Sequence, residues 1–262
     1  MIRVHDLHKS FGAKRVLSGV SFEIHSGETL AVIGKSGTGK SVLLKLIVGL
    51  LEPDQGWVEI EGKRVDQMNS RELFEMRRNI GYVFQGAALF DSMTVLENLT
   101  LSLYEHGERN HQYLEGEAQK RLTDVGLLGS VSELSAADYA SAWELISEKK
   151  PAELSGGMRK RVGVARALVG DPKYVFYDEP TTGLDPVTSE QIDMLVCDLA
   201  EKLDVTSVVI THDIFSVWKV ADRVIMLNNG LIQFDGPPEN LRSSDDEVVR
   251  EFIERYNGTP VS

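Results

Sequence analysis

The sequence predicts an α/β fold in three parts: a core of alternating strands and helices, an antiparallel β subdomain, and an α-helical subdomain inserted into the core. Three observations carry this. Short apolar runs alternate with runs of helical period at 29–51 and again at 174–221. Between residues 2 and 65, runs of alternating apolar and polar residues surround the first of these units. From Ala87 to Pro151 the texture becomes helical and polar.

In chain order, "IRVHDLHKSF", "GVSFEIHSGE" and "GWVEIEGKRV" are expected as antiparallel strands. "TLAVI" (29–33) is a β-rich run, and "SVLLKLIVGLL" (41–51) is apolar at helical spacing. Ser70 is the expected N-cap of a short helix in "NSRELFEMRRN", and "NIGYVFQ" (79–85) is the next buried strand. Within the inserted segment, Tyr139, Trp143 and Ile146 fall on one helical face, which predicts an extra helix packed on that lobe, with contact to a partner subunit as the alternative. Then come the strand "KYVFYDEP", the helix "SEQIDMLVCDLAEKL", the strand "TSVVITHD" and the helix "IFSVWKVA". "RVIMLNNGLIQFDG" is a hairpin whose Asn-Asn-Gly turn suits positive φ. A charged amphipathic helix from Asp246 to Tyr256, capped by the acidic residues before it, closes the tail.

The chemistry starts at "IGKSGTGKSV" (33–42). Gly34, Gly39, Lys40 and Ser41 fit G-x-x-x-x-G-K-[ST], a loop whose backbone N–H groups curl around phosphate at a helix N-terminus. Lys40 is expected on the β- and γ-phosphates and Ser41 on Mg²⁺. The apolar strand "YVFY" delivers Asp178 and Glu179 to its C-terminal edge, where open α/β sheets bind ligands. Asp178 is placed to hold Mg²⁺ through its water shell, and Glu179 to take a proton from the water attacking the γ-phosphate. "LSGGM" (154–158) opens a helix with a hydroxyl and bare N–H groups, as a second anion site or simply a well-capped helix start.

Bulk properties narrow the field. A net charge of −12 argues against nucleic acid as partner, since phosphate contact normally needs a basic face. Cys197 is the single cysteine, so neither a disulfide framework nor zinc spacing exists, which suits a reducing cytosol. No apolar run approaches the ~18 residues of a spanning helix, and "MIRVHDLHKSFG" lacks the apolar core of a signal peptide.

Taken together, the phosphate loop, "LSGG", the strand ending in Asp-Glu, "GLD" (183–185) and the histidine of "VVITHD" resemble, in that order, the motifs of the ATP-binding-cassette ATPases. The resemblance covers about residues 2–240. It implies a P-loop NTPase (RecA-like) core with an antiparallel β subdomain and an inserted α-helical subdomain. One ATP-binding domain would span 1–245, with the core lobe at about 1–86 and 155–240 and the helical lobe at about 87–154. Residues 246–262 would form a C-terminal helix and tail. Phe11 would stack on adenine, where most relatives have Tyr, and Gly34, Lys35, Ser36, Gly37, Thr38, Gly39, Lys40, Ser41 and Val42 would cradle the phosphates of ATP. Gln85 would reach Mg²⁺ and the attacking water and couple the site to a transport partner. Glu179 would be the general base and His212 the γ-phosphate sensor. Ser155, Gly156 and Gly157 would contact the γ-phosphate in the partner protomer's site, and Asp185 the dimer interface. A head-to-tail homodimer sandwiching two ATP molecules follows from that arrangement.

At finer grain, "FQGAALFDSMTVLEN" and "LSGGMRKRV", with Met158 where most importers have Gln, resemble the ATPase subunit of Mla-type, MCE-associated lipid transporters. That implies phospholipid transport between inner and outer membranes, with a permease docking near Gln85 and the helical lobe. An MCE-type protein would join the complex, and the chain would lie peripherally on the cytoplasmic face of the inner membrane. In that group the C-terminal tail can reach the partner protomer. A transporter ATPase for another substrate is the alternative. A non-transport cassette working on nucleic acid is disfavoured by the acidity and the lack of zinc or coiled-coil arms. A non-hydrolysing cassette is disfavoured by intact Lys40, Asp178, Glu179 and His212.

Overall fold

The computed structural model describes residues 1–130, 132 and 134–256, with side chains to Glu254. Residues 131 and 133 of the inserted helical segment, the Arg255 and Tyr256 side chains and the tail beyond them therefore lie outside the described residues.

Two sheets organise the chain. The smaller contains β1 (Ile2–Phe11), β2 (Lys14–Ile24), β4 (Gln55–Ile60) and β5 (Lys63–Arg64), all antiparallel, in the order β2-β1-β4-β5. The larger contains β3 (Thr29–Ile33), β6 (Ile80–Val83), β7 (Tyr174–Asp178), β8 (Thr206–Ile210), β9 (Arg223–Asn228) and β10 (Leu231–Gly236). Its order is β10-β9-β3-β8-β7-β6, with β9 to β6 parallel and β10 antiparallel at the edge. Strands β3 and β8 are buried along their whole length, which is why they read as continuous apolar runs rather than alternating ones. The β9–β10 hairpin turns through Asn229 (φ 49) and Gly230 (φ 77), as the Asn-Asn-Gly sequence requires.

The period of two along these strands divides the core. Leu30, Val32, Tyr174 and Phe176 pack with α1 (Lys40–Ile47) and the antiparallel sheet. Val175 and Tyr177 point the other way, into a cluster with α3 (Val95–Glu105), α4 (His111–Asp124), α6 (Gly156–Leu168) and α7 (Pro186–Leu203). Ala31 and Ile33 join a third cluster with α8 (Ile214–Val220), α9 (Pro238–Arg242) and α10 (Glu247–Tyr256).

Local chemistry moves several boundaries. Helix α1 stops at Ile47 although the apolar run continues to Leu51, because Gly49 turns to φ 69 and Arg77 caps the carbonyls of Val48 and Gly49. Helix α2 (Ser70–Arg77) is capped by Asn69, not Ser70. The Asn69 side chain accepts from the N–H groups of Arg71 and Glu72, while Glu72 bonds back to the Asn69 N–H at 2.9 Å. Strand β6 ends at Val83, two residues short of Gln85. Helix α7 begins at Pro186 under an Asp185 cap.

Helix α5 (Ala136–Ser147) buries Ile146 and half-buries Tyr139 and Trp143 against the helical cluster, as the packing reading of that face predicts. Trp143→Ala is expected to lower stability by about 2 kcal/mol, measured as a lower urea midpoint. An unchanged midpoint would mean that the indole serves a partner instead.

Helix α4 is tied to the turn after α6 by Arg121, whose side chain is 0% exposed. Its guanidinium donates to Glu117 (2.8 Å), Asp124 (3.1 Å) and Asp171 (2.6 Å), the last on the turn between α6 and β7. Burial pulls its pKa down, but the carboxylates of Asp171 and Glu117 outweigh this and hold it above the ordinary value. No helix among the described residues is long and apolar enough to cross a membrane.

Candidate active site

The loop from Gly34 to Lys40 leaves the end of β3 and enters α1. Gly34 (φ 145) and Gly39 (φ 101) take backbone conformations that L side chains rarely adopt. A Cβ on Gly34 would lie 2.4 Å from the Leu227 carbonyl oxygen, and one on Gly39 2.8 Å from Val16. The loop is therefore pressed onto its neighbours at both glycines, with no room for a side chain at either. Thr38 closes it from within, its hydroxyl donating to the Lys35 carbonyl at 2.9 Å. The Lys40 ammonium is buried and donates to the carbonyls of Gly34 (2.8 Å) and Lys35 (3.1 Å). Burial lowers its pKa, and the charges of Glu179 and Asp178 oppose that.

A continuous set of contacts runs outward from this loop. The Ser41 hydroxyl donates to Asp178 at 3.0 Å, and the Tyr82 hydroxyl donates to the other Asp178 oxygen at 3.2 Å. Burial and the Asp178 charge push the Tyr82 pKa up, so it stays a donor. Next along the chain, Glu179 sits at φ 50, with its N–H bonded to the Ile210 carbonyl at 2.9 Å. A non-glycine residue held in that region is strained and over-determined by its surroundings. Its carboxylate accepts from Gln85 (3.0 Å) and Thr182 (3.0 Å), and the His212 ring lies 3.5 Å away. These groups come from four segments: the ends of β6, β7 and β8, and the loop before α7. The strands place them because β6, β7 and β8 are parallel neighbours, so their C-terminal ends open on one edge.

Ser41 and Asp178 fit a magnesium ion. Magnesium takes one or two protein oxygens and completes its shell with water and phosphate oxygens, and this pair supplies hard oxygens beside the loop. Ser41 and Asp178 would hold the ion, and it would supply charge neutralisation during phosphoryl transfer.

The other expected residues lie outside this contact set. Phe11 is half exposed at the end of β1, with the Lys9 ammonium 5.6 Å from its ring centre, so one aromatic face is available for stacking. Ser36 and Gly37 are exposed, and Val42 packs against the core behind the loop. Ser155 caps α6, accepting from the Met158 N–H at 3.2 Å, with Gly156 and Gly157 forming the first turn. A Cβ on Gly157 would meet Thr188 at 2.9 Å, so this turn rests on the start of α7. Asp185 caps α7 through Val187 and Thr188, and the hydrogen bond from the Thr188 hydroxyl holds its carboxyl below the usual range.

Three site residues were not anticipated: Tyr82, Thr182 and Lys160. Lys160 lies on the helix opened by Ser155 and donates its ammonium to the Gln85 carbonyl, and burial lowers its pKa. Arg166, further along α6, holds the carbonyls of Ala87 and Ala88 at 2.7 and 2.8 Å. The backbone after Gln85 is thus tied to the helix that "LSGG" opens. Thr182 lies within "DEPTTGLD", three residues beyond Glu179, a spacing that was available as a signal.

The family model for ABC transporters matches residues 17–182, more than half the chain and including the phosphate loop, "LSGG" and Asp178–Glu179. The chain belongs to the ABC transporter family. It is 38% identical over 252 residues to the probable ribonucleotide transport ATP-binding protein mkl of Mycobacterium tuberculosis, covering 96% of this chain and 66% of that one. It is 37% identical over 273 residues to protein trigalactosyldiacylglycerol 3, chloroplastic, of Arabidopsis thaliana, covering 96% and 73%. A dimeric post-hydrolysis structure of the ATP-binding cassette MJ0796 with ADP and Pi superposes at a TM-score of 0.76 and 31% identity, covering 91% and 99%. The fold is thus that of an ABC ATPase cassette, a P-loop NTPase, and this ABC cassette is an ATP hydrolase that takes ATP with Mg²⁺.

Proposed function

We propose that the chain is the ATPase subunit of a lipid transporter, docked from the cytoplasmic face onto a separate permease in the inner membrane and working as a homodimer. The observation that carries the docking is a groove of about 840 Å³ lined in part by Phe84, the residue before Gln85. It runs between the end of α2 and β6 on one side and α3 on the other, with Phe84 and Phe90 exposed along it. Exposed aromatics in a concave surface suit the apolar face of a permease helix. A partner seated there would press on the loop whose carbonyls Lys160 and Arg166 hold, and so on Gln85 and Glu179.

Within the site, Phe11 stacks on the base, the loop from Gly34 to Val42 binds the phosphates, and Lys40 turns from its carbonyls to the γ-phosphate. Glu179 accepts the proton of the attacking water, Gln85 and His212 orient that water and the γ-phosphate, and Ser155–Gly157 and Asp185 act across the dimer. The dimeric MJ0796 cassette supports the sandwich. Lipid as cargo is supported by the likeness to a plant protein named for a glycerolipid and by Met158 and the 86–98 stretch. The likeness to mkl, named for ribonucleotides, favours the second reading, another solute.

Capture of the tagged chain from detergent-solubilised membranes tests the proposal, with mass spectrometry of proteins and lipids. A permease, an MCE-type protein and retained phospholipid are expected. A different permease with a solute-binding protein would replace the cargo, and absence of any membrane partner would overturn the docking.

A further inference from the structure

Helix α10 ends the described chain, yet its buried face packs beneath the strand that leads into the phosphate loop and the helix that follows His212. Val249, Phe252 and Ile253 are buried in the cluster that holds Ala31 and Ile33 of β3 and Ile214 and Val217 of α8. Ile33 directly precedes Gly34, and Ile214 follows His212 by two residues. Above this apolar seat, the Glu251 carboxylate reaches the Lys35 ammonium of the phosphate loop at 3.6 Å. The helix is fixed at its start as well. Asp246 caps it through the N–H groups of Val248 and Val249 and accepts from Gln233 at 2.6 Å. The neighbouring helix α9 lays the Arg242 guanidinium 4.4 Å from the ring centre of Trp218 on α8.

We propose that α10 is a positioning element for nucleotide binding in its own protomer: its docked state holds the phosphate loop through Ile33 and Lys35, and the His212 loop through Ile214. The reading rests on the ATP-site assignment and adds a reciprocal coupling to it. If docking of α10 favours the ATP-binding shape of the loop, bound ATP must favour docking by the same factor. The tail helix is then a handle by which anything that grips or releases it changes nucleotide affinity, with no contact to the nucleotide itself. Glu251 acts on the loop through Lys35, so it is a positioning residue and not a catalytic one.

The sign of one substitution separates this from simple electrostatics. Glu251→Gln removes a negative charge beside an anion-binding loop, which by charge alone would tighten ATP binding. Lost positioning weakens it. The full-length Glu251→Gln protein is expected to show an ATP KM raised about 3-fold with kcat kept within about 2-fold, the scale of one exposed ion pair. Hydrogen exchange supplies the reciprocal readout. Saturating Mg-ATP should slow exchange of the 248–253 amides in the parent protein by about 3-fold, and by less in the variant. A KM that falls or stays fixed overturns the proposal, as does exchange in α10 that ignores ATP. Failure of the parent protein to bind ATP would instead overturn the site assignment beneath it.

Discussion

Glu179→Gln is expected to lower ATP turnover about 10²- to 10⁴-fold while leaving ATP binding intact, because the amide cannot take the proton of the attacking water. The substitution is nearly isosteric. An amide oxygen still accepts from Gln85 and Thr182, which now donate to the carboxylate at 3.0 Å each, so the loops around it keep their places. Binding without hydrolysis should then trap the ATP-sandwiched dimer. Phosphate release reads the first effect, and size-exclusion chromatography with saturating Mg-ATP reads the second. A variant that remains monomeric under those conditions would sink the sandwich, and one that still releases phosphate at the parent rate would remove Glu179 from the role of base.

Arg121→Met carries the largest expected effect on stability. The substitution keeps the length and apolar bulk of the side chain but leaves Glu117 as a nearly buried carboxylate without its cation. Breaking a buried ion pair from one side costs about 3–5 kcal/mol. For a chain of this size that corresponds to a fall in Tm of about 10 °C. Asp171 is mostly exposed and can turn to water, so the penalty is expected to fall chiefly on Glu117. The Gly170 N–H, which also bonds to Glu117 at 3.1 Å, should lose protection from exchange at the same time. A Tm within about 2 °C of the parent would show that the carboxylates relax into solvent and that the cluster contributes little.

What could be read from the sequence was whatever is encoded in a short continuous stretch. "GKSGTGKS" announces a backbone shape and its ligand together, because glycines at φ 145 and 101 have few other uses beside a lysine. "YVFYDE" likewise combines a buried strand with what it delivers at its end. Boundaries were legible only to within a turn. Asn69 displaced Ser70 as cap because the reciprocal bond from Glu72 favours it, and Arg77, distant in sequence, helps end α1 at Gly49. Tyr82 was illegible for another reason. It joins Asp178 because β6 lies beside β7 in register, with Tyr82 opposite Phe176, and strand order is a property of the assembled sheet. Glu117 and Arg121 are visible as an i,i+4 pair, but not as a buried one. Lys160 is just another cation on a basic helix until the turn after β6 is laid against it.

The crowding of Glu179 bears on how this cassette behaves at rest. A carboxylate ready to activate water beside a phosphate loop invites leakage, the burning of fuel with no cargo moved. Here its oxygens are engaged by Gln85, by Thr182 and, more loosely, by His212, side chains on three separate segments. Gln85 and Thr182 hold the same carboxylate oxygen, so on the proposed reading a shift of either segment would change how Glu179 meets water, and ignition would work as a coincidence detector. On that reading the idle molecule would keep its safety catch on by ordinary hydrogen bonding.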